Sequence, residues 1–494
     1  MNTLLALVAL LQPQPAVGFR IVHEVDSSRA TRPPVDFRGV PNRNWSGWPI
    51  QIGIWYPARP GTGQPMTLGT YRVPPISELG PAAAPAEAAT SIRMMIERGL
   101  RRPVTEAEAR AIALSPVSAR LDAEPAPGRH PTIVAGSYFS LQAGAALFER
   151  LAANGYVVVA IATARVVNGL QLNRPGLGLE ARVRDLEYAV GFASRLPSAD
   201  PGRLGLVGIN ADGMAVAAHQ MKHLGAKAVL SLDGWEGKRT GIGTVRESPY
   251  FDPVRMRGAW MLVTQHEPDP PPSLTPDAGL FEAFRFADRY SLRIERVGHF
   301  HLTVDSRGFP LAAAERAGVE AVLRRSVALF DVYLKGDTTR RAALEDASLP
   351  EGRYLENAMA RARPAVPTAD EGEALIFEAG DVTTLATAVR AAASANPPER
   401  LFPFWQIRNW AFRLRLGRRL TEAATLYRLN TEIYPGRVAG HEELGTLLLE
   451  AGDSAAARAS FARGAEAAAA DETIQAASRD SVRAALRARA GGNR

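Results

Sequence analysis

Three residues carry the chemistry that this sequence offers: Asn210, Asp233 and His299. Asn210 sits in Arg203-Leu-Gly-Leu-Val-Gly-Ile-Asn-Ala-Asp-Gly-Met-Ala-Val-Ala, which has the form of a strand, a tight turn and a helix. In a nucleophile elbow, Gly-x-Ser-x-Gly, small residues flank the nucleophile so that a strained turn can expose its side chain at a helix N-terminus. Gly208 meets that need, Asn210 stands where the serine belongs, Asp212 takes the second small position and Gly213 follows it. After the next predicted strand comes Leu230-Ser-Leu-Asp-Gly-Trp, which puts Asp233 at a strand's C-terminal end, where parallel sheets place functional groups. After the last predicted strand comes Gly298-His-Phe-His-Leu-Thr, which puts His299 on the loop expected to supply a base. The chain order is therefore nucleophile position, acid, base.

The asparagine changes what such a site can do. A serine is activated when an imidazole takes its proton during attack, whereas an amide has no comparable proton or nucleophilicity. Acyl-enzyme chemistry through residue 210 is disfavoured on that ground. Asp212 adds a carboxylate where the oxyanion forms, which opposes transition-state charge unless it is paired. Ala211 is the expected first oxyanion donor, and the loop expected to supply a second reads Val134-Ala-Gly-Ser-Tyr-Phe-Ser, with Ser137 and Tyr138 facing the pocket. Two active readings stay open: Asp233 and His299 activating a water directly, or Ser137 or Ser231 acting as a displaced nucleophile. Asp212 as nucleophile is disfavoured, because Asn210 and Met214 would then fill the small positions. The remaining reading is loss of catalysis with the fold kept for binding.

Other chemistries find little support. The chain has no cysteine, which excludes disulfides, thiolate metal sites and a cysteine nucleophile. His219 and His223 stand four apart on a predicted helix, and His299 and His301 two apart on a loop, but no acidic residue completes a His-Glu-x-x-His arrangement. No metal or cofactor is expected. The net charge of +7 is spread over scattered arginines interleaved with acids, and lysine occurs only at 222, 227, 238 and 335. That pattern is no nucleic-acid footprint.

The elements that must position these residues follow from hydrophobic patterning. Residues 17–28 and 48–57 alternate apolar and polar, as an antiparallel opening pair does. Residues 76–128 are alanine-rich and helical at about 84–99 and 105–114, without strand signal, and suit a helical insertion or lid. From Pro131, short apolar runs (133–135, 157–161, 204–207, 228–232, 260–263, 291–297) alternate with helical stretches (141–153, 179–196, 213–223, 319–334). That rhythm means an α/β domain with a mostly parallel sheet and helices on both faces. Residues 341–399 read as linker and connecting helices, with Pro-, Ala- and charge-rich composition at 345–370. Beyond residue 400 a period near 34 pairs Leu414 with Leu448, Ala423 with Ala457 and Tyr427 with Phe461, the period of a tetratricopeptide repeat. Leu4–Leu11, followed by Gln-Pro-Gln-Pro-Ala-Val, is too short to span a bilayer and reads as a signal-peptide core within residues 1–16, so export is expected.

Over residues 17–335 these motifs resemble the dienelactone-hydrolase and platelet-activating-factor-acetylhydrolase branch of the α/β-hydrolases. Leu232-Asp-Gly-Trp is similar to that branch's acid loop, and His299 with Leu302-Thr303 to its histidine loop; the usual His-Gly before the oxyanion loop is missing. The tail at 405–465, with Tyr427-Arg-Leu-Asn-Thr-Glu-Ile-Tyr-Pro and Glu443-Leu-Gly, resembles the repeat tail of some bacterial serine hydrolases. The resemblance implies an α/β-hydrolase domain at 17–340, a helical region at 400–490, a small ester or lactone as ligand, and a protein partner for the repeats. No nucleic acid and no transmembrane segment is expected. The runner-up is a pseudoenzyme that binds a ligand in the old pocket.

Overall fold

The computed structural model describes residues 15–30, 39–40, 47–71, 93–98, 102–137, 140–162, 166–167, 170–171, 175–394 and 401–492. The chain divides into two compact units, Met1–Ala362 and Arg363–Arg494. Of the expected signal segment, residues 1–14 lie outside the described residues.

The first unit is built on an eleven-stranded sheet: β1 (Ala16–Ala30), β2 (Gly47–Ala58), β3 (Gln64–Thr67), β4 (Pro116–Leu121), β5 (His130–Gly136), β6 (Val157–Ala162), β7 (Ala199–Ile209), β8 (Ala226–Leu232), β9 (Ala259–Thr264), β10 (Arg289–Ile294) and β11 (Tyr354–Ala360), in the order 11-10-9-8-7-5-6-2-1-4-3. Strands β5 to β10 run parallel, and β2 joins them antiparallel through β6. The opening pair is antiparallel as its alternation predicts, with Phe19 opposite Trp55. Eight helices are named here: α1 (Glu106–Ala113), α2 (Ala145–Ala153), α3 (Pro175–Ser194), α4 (Asp212–His223), α5 (Arg239–Arg246), α6 (Gly279–Ala283), α7 (His299–Thr303) and α8 (Ala313–Leu334).

Apolar residues on both faces of the parallel strands explain why the runs looked continuous in sequence. Ile133, Ala135, Val158 and Ala160 pack with Phe148 of α2 and Phe330 of α8. Their chain neighbours Val134, Val157 and Val159 face the opposite layer, with Leu186 of α3 and Met214 of α4. The period of two in the strand thus feeds two cores at once. Burying each such large side chain contributes about 1.5–3 kcal/mol.

Three strands of the sheet were not anticipated: β3, which pairs antiparallel with β4 at the sheet edge, β4 itself and β11. β4 lies inside the supposed all-helical insertion and pairs parallel to β1, Val17 opposite Ala119. Its signal is the short alternation Val117, Ala119, Leu121, hidden between proline and alanine-rich flanks. β11 lies inside the supposed linker and closes the sheet edge antiparallel to β10, with Leu292 opposite Asn357. None of its residues is buried, so it carries no apolar pattern to read. Of the expected insertion helices, α1 has a capping box between Thr105 and Glu108; residues 72–92 and 99–101 lie outside the described residues.

Among its described residues the second unit is all helical. It contains α9 (Val382–Ala393), α10 (Phe404–Leu416), α11 (Leu420–Ile433), α12 (Val438–Glu450), α13 (Ser454–Ala467) and α14 (Arg479–Ala490). Helices α12 and α13 begin 34 residues after α10 and α11 (438 − 404 and 454 − 420). The sequence-paired positions are equivalent in burial: Leu414 and Leu448, Ala423 and Ala457, Tyr427 and Phe461 are all buried in one core.

Candidate active site

Asn210 occupies the turn between β7 and α4, with a φ of 58°. That left-handed conformation costs most side chains roughly 1–2 kcal/mol, and asparagine is among the few that visit it routinely. The turn is pinned: the Asn210 amide donates to Leu232 O at 2.9 Å, and its carbonyl accepts from Gly213 N at 3.0 Å and Trp235 N at 3.3 Å. Close approach explains Gly208, because a Cβ there would stand 2.4 Å from the Asp212 carbonyl. Asp212 fits where a small residue is usual because Gly136 of β5 gives up its side chain; a Cβ on Gly136 would lie 2.6 Å from that of Asp212. The Asp212 carboxylate is paired at 2.6 Å with Arg182 of α3, both side chains being almost wholly buried. Behind it lies Asp185, bonded at 2.8 Å by Arg29, which also holds Asp26 at 2.6 Å. Burial pushes the Asp185 carboxyl up to about 6, with Arg29 opposing.

The base and acid converge on this turn from two other strand ends. His299 opens α7, and its Nδ1 lies 2.5 Å from Asp233 Oδ2. With Nδ1–H donating to that carboxylate, Nε2 is the acceptor, and it receives the Asn210 Nδ2–H at 3.3 Å. Asp233 is itself held at φ 50° and fully buried. Its Oδ1 accepts from Gln265 N at 3.1 Å, and its Oδ2 is shared with Lys238 Nζ at 3.0 Å. Lys238 is 3% exposed, so this is a buried counter-ion on the acid. Ala211 stands at the N-terminus of α4, where its N–H donates to no group among the described residues.

The displaced serines do not answer the missing nucleophile. Ser137, expected at the oxyanion position and as a substitute nucleophile, donates its hydroxyl to Ser140 O at 2.7 Å and its N–H to Ile161 O at 2.9 Å. Both donors are spent on closing the loop after β5, and the residue is fully buried. Ser231 is likewise fully buried, against Gly213 and Gly234 beneath the first turn of α4. Tyr138 lies outside the described residues. His301 is not free for a metal, because its Nδ1 accepts from Gly298 N at 2.9 Å. His219 is buried and pushed down to about 4 by that burial, while His223 pairs with Glu187 at 2.6 Å. No cluster of three metal-ligating side chains exists among the described residues.

Sequence reasoning missed Arg182, Lys238 and Glu236, the charged residues that neutralise or crowd the site. Lys238 had a readable signal: it is one of four lysines in a chain whose positive charge is otherwise arginine. A cavity of about 800 Å³, lined in part by Glu149, Asp305, Arg307 and Phe309, does not include Asn210, Asp233 or His299. A cleft of about 40 Å³ touches the site's neighbours Leu232, His301 and Leu302.

A parallel sheet that presents an elbow, an acid and a histidine in this order from successive strand ends is an α/β-hydrolase fold. No family model matches the chain, and no curated protein sequence matches it. Among solved structures, a ferulic acid esterase from Streptomyces cinnamoneus is similar, with a TM-score of 0.46 and 18% identity over 70% of this chain and 98% of its own. No described helix is long and apolar enough to cross a membrane.

Proposed function

We propose that the protein is an esterase-type relative of the dienelactone hydrolases that has given up acyl-enzyme chemistry, and that its site receives a small ester or lactone. The observation that carries this reading is the Asn210 Nδ2–H resting on His299 Nε2 at 3.3 Å. The lone pair that would accept a serine's proton is engaged by an amide proton that will not transfer. Turnover then requires a water that displaces the amide from Nε2 and is activated by His299 with Asp233 behind it. The Lys238 ammonium on Asp233 Oδ2 supports a second reading, a non-catalytic binder, because it spends on itself part of the negative charge that would stabilise an imidazolium. In both readings the 34-residue helical period of the second unit supports a tetratricopeptide-like surface for a protein partner, and Leu4–Leu11 supports export.

The test is fluorophosphonate labelling and hydrolysis of short-chain p-nitrophenyl esters by the intact protein, beside Asn210→Ser and His299→Ala. The expected result is no covalent label on the wild type and a label at residue 210 in Asn210→Ser. A wild-type protein that labels, or that shows a burst of acyl-enzyme, overturns the proposal. Slow wild-type hydrolysis lost in His299→Ala selects the water-activating reading; its absence selects the binder.

A further inference from the structure

One buried acid next to the site is used by nothing described so far. Glu236 lies on the 3-10 turn Trp235–Gly237, is fully buried, and neither of its carboxyl oxygens has a hydrogen-bond partner. The turn it belongs to holds the site at two points. Trp235 N–H donates to the Asn210 carbonyl at 3.3 Å, and Lys238, whose N–H closes the turn on Trp235 O at 2.9 Å, bonds Asp233 Oδ2 at 3.0 Å.

We propose that the segment Trp235–Lys238 is a proton-operated brace: protonated Glu236 seats it, and ionised Glu236 loosens its hold on Asn210 and Asp233. Two neighbouring acids, Asp233 and Glu236, divide one cation and one proton. Asp233 accepts from Gln265 N, His299 Nδ1 and Lys238 Nζ, so it is fully provided for as a carboxylate. Glu236 has no charged donor on it and faces only the neutral Ser231 hydroxyl, and a buried carboxylate without a cation costs several kcal/mol, so the proton resides there. Space forbids an easy adjustment. A Cβ on Gly234 would stand 2.0 Å from Ser231 Oγ and 2.2 and 2.5 Å from the two Glu236 oxygens, and one on Gly213 would stand 2.2 Å from Glu236 Oε2.

The charges around Glu236 leave it no other relief. Burial pushes its carboxyl up to about 7; the Ser231 hydroxyl and Lys238 pull it down, and Asp233 pushes it further up. Among the elements packed on the turn, α4 offers Asp212, already paired with Arg182, and Lys222 and His223, both spent on Glu187; His219 is buried and neutral above about 4. Arg239 and Arg246 of α5 and Glu282 of α6 are exposed. Once ionised, Glu236 can gain a cation or solvent only by drawing Lys238 off Asp233 or by swinging the turn outward, and the second breaks the Trp235–Asn210 bond as well.

The linkage has a definite sign. The folded carboxyl titrates near 7 and the solvated one near 4.5, so opening the turn releases a proton between those values. The brace is therefore tightest below pH 4.5, weakens as the pH rises towards 7, and is constant above that.

Hydrogen exchange of the full chain, read by mass spectrometry on peptides spanning 232–240 between pH 5 and pH 8 and corrected for intrinsic rates, tests this without relying on any activity. Protection in the wild type should fall about tenfold per pH unit up to pH ~7 and then level off, the slope of one proton per opening. In Glu236→Gln the same peptides should show no such slope. Parallel profiles in the two proteins overturn the proposal. Should the Gln variant fail to fold, Lys238→Met gives a second reading: removing the cation that pulls Glu236 down moves the levelling-off to higher pH, and an unmoved profile overturns the proposal.

Discussion

Arg182→Leu attacks the device that lets an aspartate sit in the elbow. Arg182 and Asp212 are 2% and 1% exposed and 2.6 Å apart, so removing the guanidinium leaves a carboxylate buried at the foot of α4. Breaking a buried pair from one side costs about 3–5 kcal/mol. Asp212→Gly restores the small residue of the elbow and leaves Arg182 beside Asp185, whose carboxyl already feels its charge, so the cost falls to about 1–3 kcal/mol. The double variant removes both charges together and should lie within about 2 kcal/mol of the wild type, because replacing a buried pair by apolar groups is often neutral or better. The four proteins form a double-mutant cycle whose coupling should be at least about 2 kcal/mol. Urea unfolding followed by tryptophan fluorescence and circular dichroism measures it. An Arg182→Leu protein within about 1 kcal/mol of wild type, or a double variant as unstable as the sum of the singles, would refute the account of Asp212 given above.

Gly136→Ala should cost about 1–3 kcal/mol through overpacking against the Asp212 Cβ, 2.6 Å from the added atom. Adding Asp212→Gly should recover most of that cost, and thermal melts of the single and double variants check both. In the Asn210→Ser background, Lys238→Met should raise kcat/KM for p-nitrophenyl acetate by about tenfold, because Asp233 Oδ2 then serves His299 Nδ1 alone. An unchanged or lower value would show that Lys238 holds Asp233 in place more than it competes for it.

How much of this was legible in the sequence depended on whether the signal was local. Strands β5 to β10 were, because a strand buried on both faces must be a continuous apolar run whatever surrounds it. Asn210, Asp233 and His299 were legible as positions because each follows a strand end in a fixed order, and the structure brings Asn210 and Asp233 to the two nitrogens of one imidazole. Strand β11 was not, since an edge strand with no buried residue has no pattern to show. The Arg182–Asp212 pair was not either: 30 residues separate its members, and in sequence the aspartate only looked like damage. The reading of Ser137 failed for a related reason, because its donors are consumed by Ile161 O and Ser140 O, partners set by how the loop closes.

The elbow separates two demands that a serine usually meets together. One is conformational: residue 210 must adopt φ 58° with its carbonyl shared between Gly213 N and Trp235 N. Asparagine tolerates that region better than serine does, since its short amide can bond locally there. The other demand is chemical, a proton that can be passed to Nε2, and asparagine cannot meet it. The turn, the helix start and the imidazole orientation all persist without the nucleophile, so they are properties of the scaffold and not of the reaction. What marks this site is charge, with Lys238 on the acid, Arg182 on the elbow aspartate and a protonatable Glu236 beneath both, so that each buried carboxylate there is matched by a cation or a proton.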